Sequence, residues 1–371
     1  MNKLASIALL ILALVLLWTA GTQNEPMVRS RELYHLDSTA PLNNAPPVVA
    51  FTTVVLGGFR GILTDVLWLR ASYLQEEGKY FELLQLSDWI TTLEPRCTEI
   101  WAFHAWNMAY NVSVMMSEPE DRWRWVKNGI VLLRDEGLSY NPGDPDLYCE
   151  LGWLFQNKIG GRTDRAHLYY KQKWAVEMND LLGGPTPDYA RLAADPAAAA
   201  RLTKDYKLDP AVMKQVDAAY GPLDWRLPDT HALYWAWRGN QCANAKTSLP
   251  CDRMIYQSMV STFMHGRLLL RSGESPSETF PYPEILPNVM KAFDHALARH
   301  PDASIRSAYV LFLQNAVYVL HVVGQEEEAR RVFEMAKTRF PTDEIPAYES
   351  LIAAPSIPSL RGIKMPKPDS P

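Results

Sequence analysis

The chain has 371 residues, 47% of them apolar, which suits one or two domains with a continuous core or a single extended repeat array. Its 37 Lys and Arg against 42 Asp and Glu leave a formal charge of -5. There is no basic run either, which excludes the usual electrostatic footprint of a nucleic-acid binder. The first element in chain order is Leu4 to Ala20, apolar except for Ser6 and Thr19 and preceded by Lys3. As a helix it spans roughly 25 Å, close to a bilayer core. It is short for an anchor and long for the apolar region of a signal peptide. Cleavage after Ala20 would put bulky Trp18 three residues before the cut, and cleavage after Gly21 would put Thr19 there. An uncleaved anchor is therefore favoured over a cleaved signal. No Cys follows, which excludes a lipoprotein anchor. In either case Lys3 stays inside and the bulk of the chain is exported. The expected place is an inner (plasma) membrane, single-pass, with the mass extracytoplasmic. After cleavage it would be the periplasm.

Residues 21–60 read as a polar linker ending in Pro46-Pro47, followed by an apolar lead-in. The apolar stretch Val48–Leu69 is interrupted by Gly57, Gly58, Arg60, Gly61 and Asp65. A second span is disfavoured, because Arg and Asp near a helix centre each cost about 2.5–3.5 kcal/mol on insertion. The expectation is a buried first helix starting near Gly61, with an extended or membrane-contacting lead-in. From Thr64 a helical period takes over. Leu83, Ile90 and Pro95 close one unit, and Trp101 and Ala105 open the next. After Pro142 comes Tyr148-x-x-Leu151-Gly152-x-x-Phe155. Ala166 and Tyr170 follow in a second helix, with Lys173 where a small residue belongs. Residues 180–222 form an Ala-rich insert of short helices, and residues 271–286 a Pro/Ser loop. Phe293, Ala296 and Pro301 mark another second helix. Gly324, Ala329, Phe333, Ala336 and Pro341 close the series. Glycine opens a turn, small residues let two helices approach, an aromatic fills the gap and proline ends the helix.

These spacings resemble the tetratricopeptide repeat, most closely at Tyr148–Phe155 and Gly324–Pro341. The resemblance implies an all-α, irregular solenoid of helical hairpins. It divides the chain into an anchor (1–20), a lead-in (21–60), repeats (61–179), the insert (180–222), further repeats (223–345) and a Pro-rich disordered tail (346–371). It also implies a groove lined by first helices, and the matching positions here are Trp106, Trp153 and Tyr318. Gln156, Asn157, Gln314 and His321 fall near them. An aromatic row flanked by amides suits an extended peptide of a partner protein. The competing reading is that these rings are packed inside by the insert.

Chemistry-bearing residues are densest at Asp224, Arg226, Asp229 and His231, within residues 224–238. One reading makes His231 a general base oriented by Asp224 or Asp229, in an extracytoplasmic enzyme or carbohydrate-binding module. The favoured reading is a helix start, with Pro228, Asp229 and Thr230 capping it and His231 packed inside. No nucleophile or metal ligand stands at fixed spacing, so no catalytic residue, metal or cofactor is expected, and His295 and His300 lack acidic or thiol partners in the sequence. Glu326–Glu328 suit the positive end of a helix dipole. Asn111-Val-Ser113 matches a glycosylation acceptor but falls at the end of a repeat helix. Cys242 and Cys251 bracket a polar loop, and a bridge there would contribute roughly 2–3 kcal/mol. Four cysteines allow three pairings, and Cys97 and Cys149 read as small buried residues. The sequence thus points to a non-catalytic docking protein tethered in an envelope assembly.

Overall fold

A computed structural model describes residues 12, 15, 18, 19, 59–244, 247–270, 278–353 and 355. Most of Leu4–Ala20, the linker, Val48–Gly58 and, in the tail, residues 354 and 356–371 lie outside the described residues. Leu12, Val15, Trp18 and Thr19 are helical. Among the described residues, no helix is long and apolar enough to cross a membrane. Contacts divide the chain into two compact units, Met1–Arg60 and Gly61–Pro371, and the second holds nearly all of the described helices.

That second unit is all-α apart from one small hairpin. Helices α1 (Phe59–Glu76) and α2 (Tyr80–Leu93) meet through Ala71, Leu74, Leu83, Leu86 and Ile90, which form a small core of their own. The next three helices each run into a π-helical turn. Helix α3 takes Thr98–Trp106 through Asn107–Val112 to Ser113–Met115. Helix α4 takes Pro119–Val131 through Leu132–Gly137 to Leu138–Tyr140. Helix α5 takes Pro145–Trp153 through Leu154–Ile159. Pro145 stands at the first helical position, where its missing N–H costs nothing, and the Asp144 carboxylate accepts from the free amides of Asp146 and Leu147.

Helix α6 (His167–Leu182) packs on α4 and α5. The insert folds as α7 (Tyr189–Ala194), α8 (Pro196–Asp205) and α9 (Pro210–Tyr220). Helix α10 (Pro228–Cys242) then returns to lie along α5, and α11 (Leu249–His265) packs on both. Helices α12 (Leu286–Arg299), α13 (Ala303–Val322), α14 (Glu326–Arg339) and α15 (Tyr348–Ala353) complete the array. One large core runs from Trp101 to Leu351. The α13–α14 turn carries Gly324 at φ +83°, a conformation that costs other residues strain. Asp209 N–H donates to Tyr234 Oη (2.9 Å), Trp225 Nε1 to Asp217 (2.9 Å) and Asn288 to the Gly221 carbonyl (2.9 Å). The insert is thereby fastened to α10 and α12.

Four expectations need correction. The tail expected to be disordered from residue 346 begins with a helix, Tyr348–Ala353, whose Tyr348 and Leu351 are buried in the core. The first helix is not buried: it starts at Phe59, and Ile62, Val66, Leu69 and Tyr73 form an exposed apolar stripe at helical spacing. Its opposite face, with Ala71 and Leu74, supplies the core, so the apolar run serves two surfaces. The Pro/Ser segment holds part of a strand pair, in which Arg267–Leu269 runs antiparallel to Glu278–Phe280. Helix α10 is preceded by Leu227 at its cap and has no side-chain cap. Thr230 Oγ1 instead donates to the Asp224 carbonyl (2.8 Å).

Candidate functional site

Trp106 and Trp153 occupy equivalent places, each the last residue before a π-turn of α3 or α5. A π-turn inserts one residue into the helical repeat and re-aims the side chains around it, and such turns cluster at functional positions. The two indoles are 38% and 40% exposed, so the insert does not cover them. Trp106 stacks on Tyr110 with centroids 5.3 Å apart. The Tyr110 hydroxyl donates to Asn157 Oδ1 (2.8 Å), and the Trp153 indole approaches the same hydroxyl. Burial, with Glu150 nearby, pushes the Tyr110 phenol well up. Lys158 Nζ lies 5.0 Å from the ring centre of Tyr110. Lys158 is itself buried and pairs with Asp164 (2.5 Å), which also meets Arg122 (3.2 Å). The surface cluster therefore rests on a buried ionic base.

Of the expected groove residues, Trp106, Trp153 and Asn157 come together through Tyr110. Gln156 turns elsewhere and donates to Ser258 Oγ (2.9 Å). On α13, Gln314 reaches the Glu344 carbonyl (3.3 Å), Tyr318 is half-buried against the core, and His321 pairs with Glu326 (2.7 Å). Among the described residues, α13 shares no packed interface with α3 or α5.

The 224–238 cluster divides in two. His231 lies inside, 5.2 Å from the Phe155 ring and 4.8 Å from Trp174, and its Nε2–H donates to the Trp225 carbonyl (2.8 Å). Burial holds its imidazole down at about 4, so it is neutral and sealed away from solvent. Asp224 and Arg226 form a two-pronged pair (2.9 and 2.7 Å), and Arg226 also donates to the Leu268 carbonyl (3.2 Å).

Arg226 and Asp229, without His231, line a cavity of ~280 Å³ between α6, α10 and α11. Arg162, His167, Lys171 and His265 add ionisable groups to its wall, Gln172 and Thr279 are also polar, and Ser261 stands beside Asp229. Arg162 lies 3.3 Å from His265 Nε2. Burial raises the Asp229 carboxyl to about 6, against the pull of Ser261 and Lys171. Burial lowers the Lys171 ammonium to about 8 and the His265 imidazole to about 4. Arg162, His167, Lys171 and His265 were not singled out by the sequence, because they come from a loop and two helices far apart in the chain. A polar His or Lys within a helix carries no signal until its neighbours are known.

All four cysteines carry free thiols. Cys242 is exposed, whereas Cys251 is buried beside Cys149, which raises the Cys149 thiol. Cys251 therefore has Cys149 as its thiol neighbour. His300, which lacked an acidic neighbour in the sequence, meets Asp252 at 3.0 Å, where Arg299 and Asn240 also converge. His295 lies 4.0 Å from the same carboxylate. Among the described residues, no group of His, Cys, Asp or Glu could hold a metal ion. No protein-family model, curated protein or solved structure matches the chain.

Proposed function

We infer that this protein is a membrane-tethered, extracytoplasmic docking scaffold that works without catalysis, and that it binds an extended segment of a partner protein in an envelope assembly. The observation that carries the reading is the Trp106–Tyr110–Trp153–Asn157 cluster. Two rings stand two-fifths exposed on neighbouring helices, Trp106 stacked on Tyr110 and Trp153 beside the Tyr110 hydroxyl, which Asn157 holds by a hydrogen bond. Rings fixed in this way offer contact area at small entropic cost on binding. The tether rests on Lys3 and the apolar run Leu4–Ala20. The exposed stripe of α1 supports a lead-in that lies against the membrane.

The helices are read as degenerate tetratricopeptide-type repeats. Gly324 at φ +83° opens the last turn, Ala329 and Ala336 are buried, and Phe333 packs on Tyr348. The test is site-specific photo-crosslinking of the full chain in its native envelope. A photoreactive phenylalanine at Trp106 or Trp153 is expected to give the same discrete adduct, and one at exposed Gln257 none. Absence of adducts at both indole positions would sink the reading.

A second reading, a ligand-binding module near residues 224–238, is favoured by the Arg226–Asp229 cavity. In this reading His231 is not an acid–base group, because it does not face the cavity.

A further inference from the structure

The cavity between α6, α10 and α11 has an unbalanced polar wall. Arg226 is neutralised by Asp224 through two hydrogen bonds. Arg162 has a neutral histidine beside it, and among the described residues no carboxylate comes within ion-pair reach of Lys171 Nζ. Against these two cations stands one carboxylate, Asp229. His167 Nδ1 is buried at the same wall with no hydrogen-bond partner. A buried polar atom without a partner costs free energy. The lining also holds polar Gln172, Ser261 and Thr279, and an apolar part made by Leu168, Ala175, Leu227 and Leu268. Polar groups converging beside an apolar patch in one cavity are what fix the orientation of a small molecule.

We propose that this cavity binds a small organic carboxylate with an apolar body, the carboxylate held by Arg162 and Lys171 and the body resting on Leu168, Leu227 and Leu268. A single negative charge matches the net charge of one on the wall, whereas a dianion would be repelled by Asp229. The proposal deepens the second reading and is independent of the docking cluster.

The charged and titratable groups facing Lys171 are Arg162, His167, Arg226, Asp229 and His265. They fix the pH dependence. Binding weakens as pH rises through about 8, where Lys171 loses its proton. It strengthens as pH falls through about 6, where Asp229 gains one.

The test is calorimetry on the full chain in detergent micelles, with benzoate, benzamide and inorganic phosphate as separate probes. Benzoate is expected to bind saturably, with that pH dependence, and benzamide and phosphate not to bind. Arg162→Gln, on an exposed loop, is expected to weaken benzoate at least ~10-fold, the low end for a charge-assisted hydrogen bond. Equal binding of benzamide would show that charge is not read. Tighter binding of phosphate would assign the cavity to phosphate-bearing ligands, and no binding of any probe would remove the site; each outcome overturns the proposal. Photo-crosslinking at Trp106 and Trp153 is unaffected by any of these results, so the two readings fail separately.

Discussion

His104 is 2% exposed on α3, and its Nδ1 has no hydrogen-bond partner. Burial alone lowers its imidazole to about 4, and burial with the Arg134 charge brings His231 to the same value. A histidine kept neutral in the fold takes up a proton more readily when unfolded, where its pKa is about 6.5. Stability is therefore complete above about pH 6.5 and drains as pH falls toward 4, by about 1.4 kcal/mol per pH unit for each such residue. His104→Leu keeps the bulk and removes the proton site. Urea unfolding at a series of pH values is expected to show the slope between pH 6.5 and 4 reduced by that amount. An unchanged slope would mean that His104 is not held neutral. Asp164 acts at still lower pH. Burial would raise its carboxyl, but the Lys158 hydrogen bond and the Arg122 charge hold it below the usual range. Its contribution is present above about pH 4 and is lost as acid protonates it.

The α5–α10–α11 junction depends on side chains that are absent. A Cβ on Gly239 would meet Cys251 Sγ at 2.7 Å, Tyr148 Cβ at 3.1 Å and the Pro145 carbonyl at 3.2 Å. Cys251 is fully buried and Tyr148 nearly so, so neither has room to yield. A Cβ on Gly152 would crowd the Met254 thioether and meet the Ala232 carbonyl at 3.2 Å, but a methionine side chain can shift where Cys251 and Tyr148 cannot. Both substitutions gain about 1 kcal/mol of helix propensity from Ala. Gly239→Ala is expected to destabilise by roughly 1–3 kcal/mol from overpacking, and Gly152→Ala by less, because a flexible methionine takes up most of the crowding. Thermal unfolding of the two variants side by side gives the comparison, and a reversed order would contradict the packing described.

At the scale of the molecule, α1 presents Leu69 at 71% and Ile62 at 62% exposure along one line. An exposed apolar stripe of this kind marks an interaction surface. With the full chain in liposomes of brominated lipid, a fluorescent label at Leu69 is expected to be quenched and one at Gln257 on α11 not. Equal quenching, or none at Leu69, would remove the membrane-facing role of the stripe.

The helical content was legible in the sequence because the apolar period that buries one face of a helix is local, and so were the Gly324 turn and the short helices of the insert. The strand pair and the π-turns were not, since both depend on contacts made after the helices assemble. The site was legible in part. Trp106, Trp153 and Asn157 were readable from equivalent helical positions, while Tyr110, which joins them, sits on a π-turn that no periodicity announced. His231 and Asp229 are two residues apart, yet one is sealed among rings and the other faces a cavity. Only the packing of α6 and α11 against α10 decided between those environments. The sequence by itself determined most of the helical segments, because backbone and neighbouring side chains settle that within a few residues. The tertiary structure alone decided which side chains share a cavity, because Arg162, Lys171, Asp229 and His265 lie as much as a hundred residues apart and meet only when a common core is buried.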